Sequence, residues 1–125
     1  MVTNKPQYGY LVETCLLTFG LGSIDEQRLA SAWNVPEAPL CWIEQGEIEI
    51  GTLTDFLPFR ASKAQGKFSW EMLEQALQKK QSGALTASAT MAVCQKYHIP
   101  YAVSCGIGGI GDIKGEEVCM DLPAL

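Results

Sequence analysis

Apolar positions cluster into runs whose spacing assigns most of the elements. Residues 8–17, YGYLVETCLL, are apolar almost throughout. Such a run fits a strand buried on both faces, and its one charge, Glu13, is out of keeping with it. Residues 18–23, TFGLGS, read as a glycine loop. Ser23 is placed to cap a helix over residues 24–33, with Asp25 and Glu26 in the first turn. Pro36 and Pro39 mark a turn. In residues 40–53, LCWIEQGEIEIGTL, two strand-like runs flank Gln45-Gly46, a hairpin signal. Ile48 and Ile50 alternate with Glu47 and Glu49, so one face is dry and the other wet. Residues 54–59, TDFLPF, predict a short helical turn that Pro58 ends. Residues 60–67, RASKAQGK, read as a polar loop.

Ser69 is placed to cap a second helix, residues 70–81, with Met72, Leu73, Ala76 and Leu77 on its apolar face. Lys79 and Lys80 suit its C-terminus, and Gly83 suits a left-handed stop. A third helix spans Thr86 to Tyr97. Its first turn is small (Ala87, Ser88, Ala89, Thr90), which lets a helix start approach another backbone or a ligand. Pro100 follows, then YAVSC, residues 101–105, as another buried strand. The order predicts an α/β fold: a single domain over residues 1–125, with helices packed on a mixed sheet.

Composition narrows the function classes. The chain has 125 residues, 47% of them hydrophobic, and a mean hydropathy of +0.06, enough for a real core. The net charge is −5 and no basic cluster exceeds Lys79-Lys80, which argues against a nucleic-acid or acidic-membrane surface. A small anionic ligand stays open, because one lysine and a few backbone N–H groups suffice to hold it. No apolar run has membrane-span length, and MVTNKPQYGY lacks the apolar core of a signal peptide, so a cytoplasmic protein is expected. The five cysteines, Cys15, Cys41, Cys94, Cys105 and Cys119, show no CxxC spacing and read as free thiols in a reducing compartment. His98 is the single histidine and sits where it suits a helix C-terminus.

Residues 106–111, GIGGIG, satisfy G-x-G-x-x-G after a predicted strand. A dinucleotide site also needs a following helix and an acidic residue about 20 positions on, and 14 residues remain after Gly111. Two readings stand. The glycines close a tight turn, or they let backbone approach a ligand at a strand's C-terminal end.

The stretch SGALTASATMAVCQKYHIPYAVSCGIGG resembles the pseudouridine-5′-phosphate glycosidase family, also called indigoidine synthase A-like, which carries NGATTVAATM and, further on, GGIGG. Upstream, YLVETCLLTFG resembles the family's VALESTIISHG, and residues 38–53 resemble its next strand pair. Lys67 precedes Gly83 by 16 residues, the family's interval between the lysine of KVSRRDLP and the glycine of NGATT. The resemblance implies the family's fold and a sugar-phosphate ligand such as ribose 5-phosphate or a pseudouridine-phosphate-like compound. Glu13 falls on the family's proton-donating glutamate, Lys67 on its phosphate-contacting lysine, and Thr86 and Ala87 on its ligand-binding helix start. Ser104 replaces a threonine before the turn that holds Gly106, Gly108 and Gly109. Asp121 falls on a manganese-binding aspartate. For Glu13, Lys67 and Asp121 the plain alternative is a solvated side chain.

The departures matter. The family's VHRGAE after GIGG is here IGDIKGEE, and its ISAD is LPAL. Its Schiff-base lysine, in a VCAGAKSILD segment, has no counterpart. The resemblance therefore implies a sugar-phosphate-binding protein without the full glycosidase apparatus. The alternatives are a glycosidase or lyase completed by another chain or subunit, and a structural oligomerising module. The family's trimers lead to the expectation of a homo-oligomer, dimer or trimer.

Overall fold

The computed structural model describes residues 8–62 and 66–104. Six strands are present: β1 (Tyr10–Val12), β2 (Leu40–Glu44), β3 (Glu47–Gly51), β4 (Gly66–Phe68), β5 (Gly83–Leu85) and β6 (Tyr101–Val103). Four α-helices are interleaved: α1 (Glu26–Ala32), α2 (Leu53–Ala61), α3 (Trp70–Gln78) and α4 (Ala87–Tyr97). A π-helical segment, Leu16–Gly20, follows β1. The strands form one mixed sheet in the order β4-β5-β2-β1-β6, with β3 paired to β2. β1 runs parallel to β2 and β6, and β4 parallel to β5, while β3 and β5 run antiparallel to β2. This is the predicted α/β class with a mixed sheet.

Alternation along the strands divides the core into two layers. Leu11, Cys41, Ile43 and Phe68 pack with Leu73, Ala76, Ala89 and Val93 of α3 and α4. Val12, Leu40 and Trp42 pack on the other face with Leu17, Leu29, Phe56 and Phe59. β2 reads as an unbroken apolar run because both its faces are covered. The Trp42 and Phe56 rings meet edge-on, 5.1 Å between centroids, a contact worth about 0.5–1.5 kcal/mol beyond area burial.

The hairpin forms as the Gln45-Gly46 signal predicts. Both residues have positive φ, 50° and 79°, which suits a two-residue turn between twisted strands. Several boundaries differ from the sequence expectations. The strand expected over residues 8–17 is only three residues long, and the chain then coils into the π-helical segment where a loop was expected. Asp25, not Ser23, caps α1, its Oδ1 accepting from the Arg28 N–H at 2.7 Å. α2 continues through Pro58 to Ala61. Its start is fixed by a capping box between Thr52 and Asp55, and its end by Arg60. The Arg60 guanidinium donates to the carbonyls of Leu17, Leu21 and Ile24 at 2.6–2.7 Å. Burial of Phe56 and Phe59 on both sides of the proline offsets the lost backbone bond.

Three further corrections follow from short strands. β4 and β5 lie where a loop and a helix stop were expected. Gly83 is therefore not a stop; Lys80, at φ 55°, takes the left-handed position. β6 is an edge of the described sheet rather than a buried strand, with Tyr101 70% exposed.

The ends of β1 and β5 meet beside β2, and Thr14 joins them. Its Oγ1 donates to the Cys41 carbonyl at 2.8 Å and accepts from the Leu85 N–H at 3.0 Å. Its own N–H donates to the Leu85 carbonyl at 3.2 Å. Thr14 is fully buried. Thr14→Val keeps the shape and strips partners from a buried amide and a buried carbonyl. The expected loss is about 2–4 kcal/mol, read as a lower urea midpoint at unchanged slope. Gly83 tests the second junction. A Cβ there would meet Phe68 Cε2 at 2.5 Å and the Gly66 carbonyl oxygen at 2.7 Å. Gly83→Ala is expected to cost about 1–3 kcal/mol by the same measurement, with backbone shift in β4.

Candidate functional site

The C-terminal ends of β1, β4, β5 and β6 are stitched to one another by short bonds. The Glu13 N–H donates to the Val103 carbonyl at 2.9 Å, which sets Glu13 beside Ser104. Thr14 bonds Leu85, which sets Thr86 beside the same end of β1. The Thr86 N–H donates to the Phe68 carbonyl at 3.0 Å, which sets α4's start beside α3's start. Open α/β sheets carry their ligand sites at such strand ends.

Glu13 is 4% exposed. Its Oε2 accepts from the Cys15 N–H at 2.8 Å, so the turn after β1 holds the carboxylate in place. A carboxylate buried at a strand end, beside helix starts, is a placement suited to proton transfer. Lys67 lies on β4, not in a loop, and is exposed. Its Nζ stands 5.8 Å from the centroid of the Phe19 ring, a cation–π contact that leans the lysine toward the π-helical segment. Thr86 occupies the N-cap position of α4 without a side-chain capping bond. Ala87 and Ser88 in the first turn are buried, and no acidic residue occupies that turn. Ser104 is half-buried at the end of the described residues.

The structure thus brings Glu13, Thr86 and Ala87 to the junction where the ends of β1 and β5 meet, with Ser104 beside Glu13 and Lys67 on β4, the strand next to β5. Gly106, Gly108, Gly109 and Asp121 lie outside the described residues. Sequence reasoning missed three contributors. Thr14 looked like part of a strand, Phe19 like part of a loop, and Ser69 like an ordinary cap. Ser69 stands at the N-cap of α3 but its hydroxyl makes no capping bond. The α3 N-terminus is served instead by Ser88 of α4, whose Oγ accepts from the Trp70 N–H at 3.1 Å.

Other features are less suited to the chemistry. Burial pushes the Cys94 thiol up, with a backbone hydrogen bond at Leu11 offsetting part of the rise. Its Sγ donates to the Tyr101 carbonyl at 3.3 Å, the setting of an inert structural thiol. A cleft of about 760 Å3 opens at the other end of β4, beside Glu44, Asp55, Phe59 and Ser82. It holds none of the predicted site residues, and the two carboxylates beside it disfavour an anion. Among the described residues no group of three His, Cys, Asp or Glu is placed to hold a metal ion. No helix among them is long and apolar enough to cross a membrane.

No curated protein matches the sequence. A solved structure, the prealnumycin C-glycosynthase AlnA in complex with ribulose 5-phosphate, shares the fold with a TM-score of 0.59 at 23% identity. The match covers 81% of this chain and 34% of that chain, so this chain spans about a third of its structural neighbour. The family model described as indigoidine synthase A like protein matches residues 28–125. By that match, which takes in β2 through β6, the chain belongs to the indigoidine synthase A-like family.

Proposed function

We propose that the chain binds a five-carbon sugar phosphate at the C-terminal ends of β1, β4, β5 and β6. The observation that carries the reading is the convergence of a buried carboxylate, Glu13, with two helix starts at strand ends held together by Thr14 and Thr86. Each helix start carries roughly half a positive charge, which suits a phosphate. Lys67 adds a full charge on the adjacent strand. Thr86 and Ala87 supply the approach without bulk, Ser104 borders the acid, and Glu13 is the group placed to exchange a proton with the sugar. Family membership and the ribulose 5-phosphate in the AlnA complex support the ligand class.

A second reading rests on Glu13 alone. A carboxylate this deeply buried has little purpose in simple phosphate binding. It suits an acid–base step on the glycosidic carbon, in an enzyme whose remaining groups lie on residues other than those described. No step is assigned to manganese.

Calorimetric titration with ribose 5-phosphate tests the binding reading. Lys67→Ala is expected to weaken binding by about 1.5–3 kcal/mol, roughly ten- to a hundredfold, as for a hydrogen bond to a charged group. Equal affinity in Lys67→Ala and wild type removes Lys67 from the site. Borohydride trapping of wild type with ribose 5-phosphate separates the two readings. Saturable binding without a covalent adduct is the expected result for a binder. A mass gain of one reduced sugar phosphate establishes covalent chemistry, and Glu13→Gln is then expected to stop turnover while keeping phosphate affinity.

A further inference from the structure

Ser69 Oγ is one of two side-chain polar atoms, with Trp33 Nε1, that are buried without a hydrogen-bond partner among the described residues. Ser69 itself is 5% exposed. A buried hydroxyl without a partner costs about 1–3 kcal/mol, so its persistence asks for a cause. A capping role would supply one, but the hydroxyl makes no capping bond, although the backbone there is extended (φ −91°, ψ 178°) as a cap requires. The hydroxyl of Ser88 has taken the bond to the first N–H of α3.

The surroundings point to an anion. α3 follows β4 and α4 follows β5, and these two strands are parallel neighbours. The two helices, nine and eleven residues long, therefore start side by side, positive ends together. Glu71, the acidic residue in α3's first turn, is exposed. α4 has none. Lys67 and Ser69 are two residues apart on extended backbone, so they share one side of the strand, opposite Phe68 in the core. Ser88 Oγ is 3.4 Å from Thr86 Oγ1, which continues the line of hydroxyls into α4.

We propose that Ser69 is a ligand-binding residue: its hydroxyl donates to a phosphate oxygen held between the first turns of α3 and α4, on the side where Lys67 lies. The assignment rests on the sugar-phosphate reading above and extends the phosphate grip from one helix start to two. The phosphate supplies an acceptor that the described residues do not offer this hydroxyl.

The test uses the full chain as wild type, Ser69→Ala and Ser69→Thr, titrated separately with inorganic phosphate and with ribose 5-phosphate, plus thermal melts without ligand. Ser69→Ala is expected to weaken both ligands about tenfold. Ser69→Thr, which keeps the hydroxyl, retains binding. The unliganded Ser69→Ala protein melts no lower than wild type, whereas loss of a true cap would lower its Tm. If wild type binds and Ser69→Ala binds equally well, Ser69 is not a ligand residue and the broader site stands. If Ser69→Ala weakens ribose 5-phosphate alone, the hydroxyl meets the sugar and the phosphate assignment is overturned. If folded wild type binds neither ligand, the site reading fails and this inference with it.

Discussion

The hydroxyl of Thr14 is the constraint on which the arrangement depends. β1 and β5 occupy the same edge of β2 but arrive from opposite directions, one parallel to it and one antiparallel. Where two such strands meet, each would leave main-chain groups unpaired in the core. Thr14 serves both ends at once, donating to β2 and accepting from β5 through one oxygen. A threonine hydroxyl has one proton and two lone pairs, so it can do this where a backbone group cannot. The same splice assembles the candidate site. Its sequence neighbour Glu13 and Leu85's neighbour Thr86 are carried to one place, although they stand far apart along the chain.

The parts of the fold that could be read from sequence are those with long periodic signals. The hairpin turned on Gln45-Gly46, α3 and α4 showed helical spacing, and β2 showed a continuous apolar run. The three-residue strands β4 and β5 are too short for alternation to register, and glycine at both their starts looked like loop. β6 misled for the opposite reason: YAV is apolar but exposed at an edge. Pro58 read as a terminator because local propensity carries no knowledge of Arg60, whose three carbonyl bonds close the helix against a distant segment.

The site divides along the same line. Glu13 stood out because a single charge interrupts an apolar strand, and its burial follows from that position. Ser69 could not stand out. A serine before an amphipathic run signals a cap whether or not its hydroxyl makes the bond. What decides is Ser88, 18 residues on from Trp70, which captures the donor Ser69 would have served. Phe19 was equally hidden, since only the π-helical segment turns its ring toward Lys67.

Binding and covalent chemistry make opposite demands on lysine, and this separates the two functional readings. A lysine that grips phosphate is an ammonium, while one that attacks a sugar carbonyl must shed its proton. Lys67 cannot serve both roles on one ligand. The other described lysines stand far off. Lys79 and Lys80 follow the end of α3, and Lys96 lies in the last turn of α4. Both helices start at the site, so these ammonium groups are carried about 13–16 Å from it by helical rise alone. At the candidate site the described residues place Glu13, Lys67 and two helix starts. In the proposed reading, that set would grip the phosphate and exchange a proton with the sugar. Ring opening by a lysine would require an amine from outside it.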